Sequence, residues 1–304
     1  MKVLVIGGTG HVSRFTVPQL VEAGCEVIVA GSGRTPQPDG GAWSQVKYIA
    51  CETGEGKDIS PLLDAGPEVV IEMCGHAWPT YQQMKGRVEH FIACGSVWMF
   101  GEPKVVPTPD EPQNPCPFPD YARRFQHIQQ MIEQSPADGT AFTAIMPPNI
   151  CGPGKVPLEC MGGRSVDVHL SHAAGKEVVL PDGPEVLIGP CDAEDIARYF
   201  VQAALKRDRA AGHIFNVGSA FALTTTQLIN VFADIYNVKI PIRRVTWSDY
   251  IEKVNPDMGA WWHFKAHMCP DISKAMQLLD YQPHYTPAQT LARAVDWMRE
   301  EKII

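Results

Sequence analysis

The sequence predicts an α/β protein with a doubly wound parallel sheet and a smaller lobe formed by the C-terminal part of the chain. Short runs of β-branched residues alternate with helical patterns over the first half of the 304 residues. The first of these runs ends in Gly7-Gly8-Thr9-Gly10, and a helical pattern follows it directly. Strands that are apolar throughout and alternate with helices are typical of a parallel sheet covered on both faces.

The elements of this sheet follow in order from the N-terminus. Strands are predicted at residues 1–6, 25–30, 46–50, 68–73, 90–94 and 141–146. Helices are predicted between them at 11–23, 59–64, 79–87 and 120–134, and Pro119 stands just ahead of the last one, as is common at a helix start. The order strand, glycine turn, helix, strand at the N-terminus is the minimal βαβ unit.

The pattern changes after Pro147. Residues 152–190 are rich in glycine and proline, with one helix predicted at about 166–174. Further helices are predicted at 193–205, 224–236, 273–279 and 287–300, and a strand at 213–217 could return to the main sheet. We expect residues 1–151 and 190–218 to form one domain, and residues 152–189 and 219–304 to form the smaller lobe.

Composition and charge argue against several classes of function. Hydrophobic residues make up 45% of the chain and the formal net charge is −8 at pH 7, with no basic patch, which argues against a nucleic-acid partner. No stretch approaches a membrane span and no leader-like pattern opens the sequence, so we expect a cytoplasmic protein without a membrane partner. The nine cysteines are scattered without a C-x-x-C pair, so neither a disulfide framework nor a metal site is predicted.

The glycine turn predicts a phosphate-binding site. Residues without a Cβ let the chain bend sharply, so that backbone N–H groups and the positive end of the following helix can approach a pyrophosphate. Its position after a strand and before a helix favours a dinucleotide cofactor, NAD(P). Ser13 stands where glycine or alanine is usual, and its small side chain should still allow the helix to pack on the strand.

The end of the second strand bears on the choice between NAD and NADP. NAD sites usually carry an acidic residue there for the ribose hydroxyls, whereas this run reads Gly31-Ser32-Gly33-Arg34. Arg34 could meet a 2′-phosphate, which favours NADP slightly. A solvated loop arginine explains the residue equally well.

Several motifs in the same order resemble the extended short-chain dehydrogenase/reductase family, the NAD-dependent epimerase/dehydratase group. After the glycine turn, the segments that match the family's motifs are Phe91–Gly101 ("SSxxVYG"), Asp120-Tyr121, Met146–Gly154 ("RPxNxYGPG"), Cys191–Ala197 ("VHVDDVA"), Gly212–Gly218 ("GxxFNVG") and the tail Lys274–Trp297. The short segment between Cys74 and His90 is most similar to compact members, which include RNA-binding relatives.

The resemblance implies a Rossmann-type dinucleotide-binding domain, a substrate-binding lobe and a sugar or nucleotide-sugar substrate. It implies Ser96 and Tyr121 as catalytic residues and His76, Trp98, Arg124 and Asn149 as substrate contacts. The cofactor residues that it implies are Gly7, Thr9, Gly10, His11, Val12, Ser13, Gly31, Ser32, Arg34, Asp58, Ile59, Met73, Cys74, Gly75, Tyr121, Pro147, Asn149 and Ile150. Family members often dimerise through two sheet-covering helices; one of these is short here, so a homodimer and a monomer both stay open.

The catalytic pattern departs from the family at one position. Family members carry Tyr-x-x-x-Lys, in which the lysine lies one helical turn after the tyrosine and lowers its pKa. Here the segment reads Tyr121-Ala122-Arg123-Arg124-Phe125. Three accounts remain open: Arg124 supplies the charge, Tyr121 acts without an activator, or the chain binds its cofactor and does other chemistry or none.

The sequence therefore predicts an NAD(P)-dependent sugar epimerase, dehydratase or reductase. The alternatives are a non-catalytic NAD(P)-binding sensor or scaffold, and an RNA-binding relative of the compact subgroup. His76 could replace a missing base, although we favour the interpretation that it is a loop histidine without a role. His169 and His172 are expected in the segment that covers the substrate, with either solvent or substrate as their neighbour.

Overall fold

The computed structural model describes all residues from 1 to 304. It contains thirteen strands: β1 Lys2–Ile6, β2 Glu26–Gly31, β3 Lys47–Ala50, β4 Val69–Glu72, β5 His90–Cys94, β6 Ala141–Met146, β7 Asn149–Cys151, β8 Val178–Pro181, β9 Leu187–Ile188, β10 Pro190–Asp192, β11 Ile214–Asn216, β12 Leu223–Thr224 and β13 Ile242–Val245. None of its helices is both long enough and apolar enough to cross a membrane.

Twelve helices accompany these strands: α1 Ser13–Glu22, α2 Ser60–Asp64, α3 Ala77–Met84, α4 Pro119–Asp138, α5 Val166–Ala173, α6 Ala193–Leu205, α7 Arg207–Ala210, α8 Thr225–Tyr236, α9 Trp247–Asp249, α10 Met258–Trp261, α11 Ser273–Leu279 and α12 Pro287–Glu300. Short 3₁₀ segments lie at Gly41–Gln45, Val97–Phe100 and Trp262–Phe264, and a π-helical turn lies at Tyr250–Val254.

Seven strands form one parallel sheet in the order β11-β6-β5-β4-β1-β2-β3. The order reverses between β1 and β4, and in doubly wound sheets ligands bind at the carboxyl ends of the strands beside such a switch point. The fold class predicted from the sequence is confirmed, and the predicted strand at 213–217 does join the sheet, as β11 beside β6.

Two apolar layers cover the sheet. One face packs against α1, α6 and α11, and the other packs against α2, α3 and α4. A third cluster holds the C-terminal lobe together around α8, α12, β8 and β13. Fully apolar strands such as Val3-Leu4-Val5-Ile6 are explained by this arrangement, since both of their faces are buried.

Several helices begin or end at other residues than the sequence predicts. The first helix begins at Ser13 and not at His11, because residues 7–12 form the turn. Helix α3 covers Ala77–Met84 rather than 79–87; Pro79 is tolerated in its first turn, and the chain leaves the helix before Gly86, whose φ is +72°. The small strand pairs β7–β10, β9–β12 and β8–β13 were not predicted, because strands of two to four residues carry little periodic signal.

Candidate functional site

The turn between β1 and α1 accepts only glycine at its first position. The Gly7 N–H donates to the Ala30 carbonyl at 2.8 Å, and the Gly7 carbonyl accepts from the Gly10 N–H at 2.9 Å. Gly7 has φ +77°, and a Cβ placed on it would lie 2.5 Å from the Cys74 Sγ. A side chain here would therefore be strained by its backbone and would collide with the end of β4.

The start of α1 presents hydrogen-bond donors without partners. The backbone N–H groups of His11, Val12 and Ser13 meet no acceptor within the protein. The Ser13 hydroxyl is buried and also has no partner. The buried hydroxyl is costly without a partner, and together with the N–H groups and the helix dipole it fits a phosphate group.

These donors open into a cavity of about 530 Å³ along the carboxyl ends of β1, β2 and β4. Both the glycine cradle and the unpaired donors fit the diphosphate of a dinucleotide. The predicted cofactor residues that line this cavity are Gly7, Thr9, Gly10, His11, Val12, Ser13, Gly31, Ser32, Arg34, Met73, Cys74 and Ile150.

The structure adds lining residues that the sequence analysis missed. Cys51, Glu52 and Thr53 follow β3 directly, and Cys94 is the last residue of β5. Their position at strand ends was the available signal, because the carboxyl ends of parallel strands meet at one edge of the sheet.

Two predicted cofactor residues do not reach the cavity. The Asp58 carboxylate accepts from the Ser60 N–H at 2.9 Å, at the start of α2. Ile59 is fully buried in the apolar layer beneath the sheet. Both residues are therefore engaged by the protein itself.

Arg34 stands at the rim of the cavity. Its side chain is 81% exposed and pairs with the Glu52 carboxylate at 2.9 Å, and Lys57 pairs with the same carboxylate at 2.9 Å. The hydrogen bond and charge of Lys57, together with the charge of Arg34, lower the pKa of Glu52. Two cations thus converge on one acid at this rim, which leaves positive charge available for an anionic ligand.

The other predicted cofactor residues lie beside the cavity rather than in its wall. The Pro147 carbonyl accepts from the Val97 N–H at 3.2 Å. Asn149 starts β7 and is buried, and its amide nitrogen has no partner. Gly75, with φ +81°, faces a neighbouring cavity, where the Arg124 guanidinium packs on it.

The two predicted catalytic hydroxyls do not line the cofactor cavity. The Ser96 Oγ accepts from the Trp98 N–H at 3.3 Å and caps the short 3₁₀ segment that follows β5. The Tyr121 ring lies in the first turn of α4, 6.0 Å from the ring of Trp98 and 6.0 Å from that of Phe118. Aromatic side chains therefore surround the Tyr121 ring.

Phe125, which stands where family members have a lysine, belongs to the apolar core. Phe125 is 6% exposed and packs edge-on against Phe100 at a centroid distance of 5.4 Å. Arg124 points elsewhere: its Cζ lies 5.5 Å from the Tyr121 ring centroid, and its NH2 group donates to the Cys94 carbonyl at 3.4 Å. A positive charge is thus present beside Tyr121, at the end of β5, but it comes from the neighbouring face of α4.

The space between the main sheet and the lobe is filled next to these residues. Trp98 stacks on Phe118 at 5.0 Å and meets His263 at 4.8 Å, and Phe118 meets Trp262 at 5.6 Å. The cavity beside Trp98 measures only about 20 Å³, room for about one water, whereas a cavity of about 570 Å³ lies between Glu102-Pro103 and the lobe. Trp98, a predicted substrate contact, is thus packed against protein, and its indole N–H donates to the Met268 Sδ at 3.0 Å.

Titratable groups gather where β4 ends. His76 lines the cofactor cavity, and its Nδ1 lies 3.2 Å from the Thr53 hydroxyl. Below it, the Glu72 carboxyl is fully buried and accepts from the Cys74 N–H at 2.7 Å. Burial raises the pKa of Glu72, so this carboxyl holds a proton more readily than an exposed one.

The two histidines expected near the substrate are structural. The His169 Nδ1 lies 3.0 Å from the Tyr236 hydroxyl, and the His172 Nε2 accepts from the Cys160 N–H at 3.3 Å. Both rings are buried against Phe232. Burial lowers the pKa of each, and neither ring reaches the cofactor cavity.

Curated relatives share most of the chain at low identity. The chain is 22% identical over 271 residues to dTDP-6-deoxy-L-talose 4-dehydrogenase (NAD(P)(+)) of Kitasatospora kifunensis, which covers 82% of this chain and 83% of the relative. It is 26% identical over 237 residues to 2′-dehydrokanamycin reductase of Streptomyces kanamyceticus, which covers 75% of this chain and 64% of the relative.

Solved structures share the whole fold. UDP-glucose 4-epimerase of Thermotoga maritima superposes with a TM-score of 0.75 at 18% identity, covering 99% of this chain and 100% of that one. UDP-glucuronic acid 4-epimerase of Bacillus cereus, solved in complex with NAD, gives a TM-score of 0.75 at 16% identity and covers 99% of both chains. Residues 65–218, half of the chain, match the sequence profile of the NAD dependent epimerase/dehydratase family. This protein is a member of that family.

Proposed function

We propose that this protein is an NAD(P)-dependent enzyme that epimerises, dehydrates or reduces a sugar or nucleotide sugar. The observation that carries the proposal is the cradle at residues 7–13, where the backbone N–H groups of His11, Val12 and Ser13 and the Ser13 hydroxyl stand without partners beside a glycine turn. Membership of the family and the names of the two curated relatives support a sugar substrate.

The proposal divides the chain by role. Residues 1–151 and 190–218 would bind the dinucleotide, and residues 152–189 and 219–304 would form the substrate-binding lobe. NAD(P), when bound, exchanges hydride with a substrate carbon. Ser96 would orient a substrate hydroxyl and Tyr121 would exchange its proton, and the Arg124 Cζ lies 5.5 Å from the Tyr121 ring centroid.

We also propose a preference for NADP. Arg34 reaches the rim of the cavity, and no acidic residue stands at the end of β2. The guanidinium can leave Glu52 for a 2′-phosphate, because Lys57 remains as a partner for that carboxylate. A phosphate carries more charge than the carboxylate it would replace, so the exchange favours the ligand.

The test is a pair of glycine variants. Gly7→Ala introduces a Cβ 2.5 Å from the Cys74 Sγ, whereas Gly24→Ala, at nearly the same φ of +78°, meets no atom within 4 Å. Both carry the same backbone strain, so only Gly7→Ala should lose NADPH affinity, by about a hundredfold. Fluorescence titration measures the affinity, and mass spectrometry of co-purifying small molecules identifies the resident cofactor. Equal NADPH affinity in the two variants would refute the cofactor site.

A second candidate function is cofactor binding without catalysis. It is favoured by the burial of Phe125 and by the closed space around Trp98. This candidate predicts NAD(P) binding with no turnover of any sugar or nucleotide sugar. Proton NMR of the reaction mixtures with a panel of sugars and nucleotide sugars, which detects epimerised and dehydrated products as well as oxidised or reduced ones, separates the two functions.

A further inference from the structure

The inter-lobe cavity, of about 570 Å³, lies between the loop that follows the 3₁₀ segment after β5 and the C-terminal lobe. The small gap beside Trp98 adjoins it, because Pro103 and His267 line both spaces. Ser96 caps the start of the same 3₁₀ segment, but neither Ser96 nor Tyr121 lines the cavity. A ligand here would therefore be a neighbour of the proposed catalytic residues and would not contact them with the same ring.

The wall on the sheet side is held in place by the protein itself. Gly101, with φ +77°, turns the chain after the 3₁₀ segment, and a Cβ on it would collide with the Asn114 carbonyl oxygen. The Asn114 side chain donates to the Glu102 carbonyl at 2.7 Å. Only glycine fits this turn, so the backbone of Glu102-Pro103 keeps a fixed place in the wall.

The lobe side of the cavity presents an aromatic corner. The rings of Trp247 and Trp261 lie 6.4 Å apart with an angle of 78° between them. Trp247 meets Tyr250 edge-on at 6.1 Å, and Tyr250 meets Phe264 in the same way at 6.0 Å. Both indoles are half-buried, so part of each faces the cavity. Two perpendicular aromatic faces of this kind fit a ring that packs on one of them and turns its edge to the other.

Most other groups of the wall are apolar or already have partners in the protein. The Glu185 carboxylate pairs with Arg244 at 2.7 Å, and the His267 Nδ1 accepts from the Leu187 N–H at 3.0 Å. Apart from Glu185, Lys265 and His267, the lobe contributes only the apolar residues Pro184, Val186, Trp247, Ile251, Trp261 and Phe264. Walls of this composition favour an apolar ligand over one that needs many hydrogen bonds.

The two charged groups of the wall without an ion pair, Glu102 and Lys265, do not form a phosphate site. The Lys265 ammonium lies 5.6 Å from the Trp262 ring centroid, and the residue is exposed. No arginine lines the cavity. The diphosphate of a nucleotide sugar brings two negative charges, which a single exposed ammonium opposite an unpaired carboxylate does not neutralise.

We propose that the inter-lobe cavity binds an uncharged apolar ring of the substrate, the aglycone of a glycoside, and excludes the diphosphate of a nucleotide sugar. This ring is the part of the substrate that does not react. The proposal rests on the proposed function for a sugar as the reacting part, and it narrows the substrate class to glycosides with an apolar aglycone. The 3₁₀ segment that separates Ser96 from the cavity loop is about 8 Å long, a distance that two linked rings can span.

The experiment compares ligand binding by the full-length protein loaded with NADP⁺. The probes are phenyl β-D-glucopyranoside, methyl β-D-glucopyranoside, which lacks the apolar ring, and UDP-glucose, which carries the diphosphate. Each probe is titrated by saturation-transfer-difference NMR. Trp261→Ala removes one face of the aromatic corner, Trp261→Phe keeps a ring there, and Glu102→Gln removes the unpaired charge. Trp78→Ala is the matched control, because Trp78 is also half-buried but lines the cavity beside Gly75.

We expect the wild type to bind the phenyl glucoside at least about tenfold more tightly than either other probe, with the strongest saturation on the phenyl protons. Trp261→Ala should bind the phenyl and methyl glucosides within about twofold of each other, whereas Trp261→Phe should keep most of the preference and Trp78→Ala all of it. Glu102→Gln should tighten UDP-glucose binding by about threefold, because it removes a repulsive charge. Circular dichroism and NADPH affinity, within about twofold of wild type, check that each variant folds.

Four results would overturn the proposal: equal binding of the two glucosides by the wild type, tighter binding of UDP-glucose, a phenyl preference that survives in Trp261→Ala, or no binding of any probe. Unchanged UDP-glucose affinity in Glu102→Gln would overturn the exclusion of the diphosphate by charge. A wild type that binds the phenyl glucoside through Trp261 but fails to bind NADPH would refute the cofactor assignment instead.

Discussion

Replacement of Phe125 by lysine tests why the family's activating residue is absent. The phenyl ring is 6% exposed and meets Phe100 edge-on at 5.4 Å. Removing the ring from this layer forfeits about 1.5–3 kcal/mol of burial and about 0.5–1.5 kcal/mol of aromatic pairing. An ammonium group left in the same place adds a cost for its lost hydration, so Phe125→Lys should destabilise the protein by about 3–5 kcal/mol.

Urea unfolding followed by circular dichroism measures this loss, and Phe125→Leu is the control that keeps an apolar side chain. We expect about 1–2 kcal/mol of destabilisation for the leucine variant. Phe125→Lys should also gain no activity, because residue 125 lies within the apolar layer beside Phe100. A lysine variant as stable as wild type, or one with faster sugar oxidation, would refute the assignment of residue 125 to the core.

Three further predictions concern the cofactor, the tail and pH. Arg34→Ala should weaken NADPH binding by about tenfold and leave NADH binding within about twofold, as measured by fluorescence titration; equal effects would contradict a 2′-phosphate contact. Asp195→Ala should lower the free energy of unfolding by about 3–5 kcal/mol, as measured by urea unfolding. The reason is that the buried Asp195 side chain accepts hydrogen bonds from Tyr281 and from the backbone N–H groups of His284 and Tyr285 at 3.0 Å. A loss below about 1 kcal/mol would show that other contacts hold the C-terminal segment in place. Burial lowers the pKa of His263 to about 3, so unfolding takes up a proton below pH 6.5 and stability should fall as pH drops from 6.5 towards 4. His263→Phe should reduce that slope by about 1.4 kcal/mol per pH unit in urea titrations, and an unchanged slope would refute this.

The cofactor half of the site could be predicted because its signal is local. Gly7 and Gly10 lie in one turn, and the steric need for glycine there is visible in the sequence as a strand, a turn and a helix. Glu52 and Thr53 were missed because they line the cavity only through the parallel pairing of β2 with β3. Which strands pair with one another cannot be predicted from a short stretch of sequence.

The substrate half could not be predicted for a related reason. Trp98 matches a family position that faces substrate, yet it is packed against Phe118, Trp262 and His263. Two of these partners follow it by more than 160 residues, so no local pattern reports the contact. The sequence revealed that a lysine was missing after Tyr121, but the direction of the Phe125 side chain depends on the tertiary packing of α4.

The residues that depart from the family pattern, Phe125 and Arg124, fit the structure around them. Phe125 turns the usual lysine face of α4 into core, and the neighbouring face carries Arg124 to the end of β5. Gly75 makes room for that guanidinium: a Cβ there would lie 3.2 Å from the Arg124 Cζ. The Arg124 guanidinium thus lies 5.5 Å from the Tyr121 ring on the side of α4 that Gly75 leaves open. A chain that had lost the lysine alone would have no positive charge beside Tyr121, whereas here Phe125, Arg124 and Gly75 together keep one there. Three residues that fit one another in this way are what a retained charge requires, and simple decay of an unused site gives no reason for them.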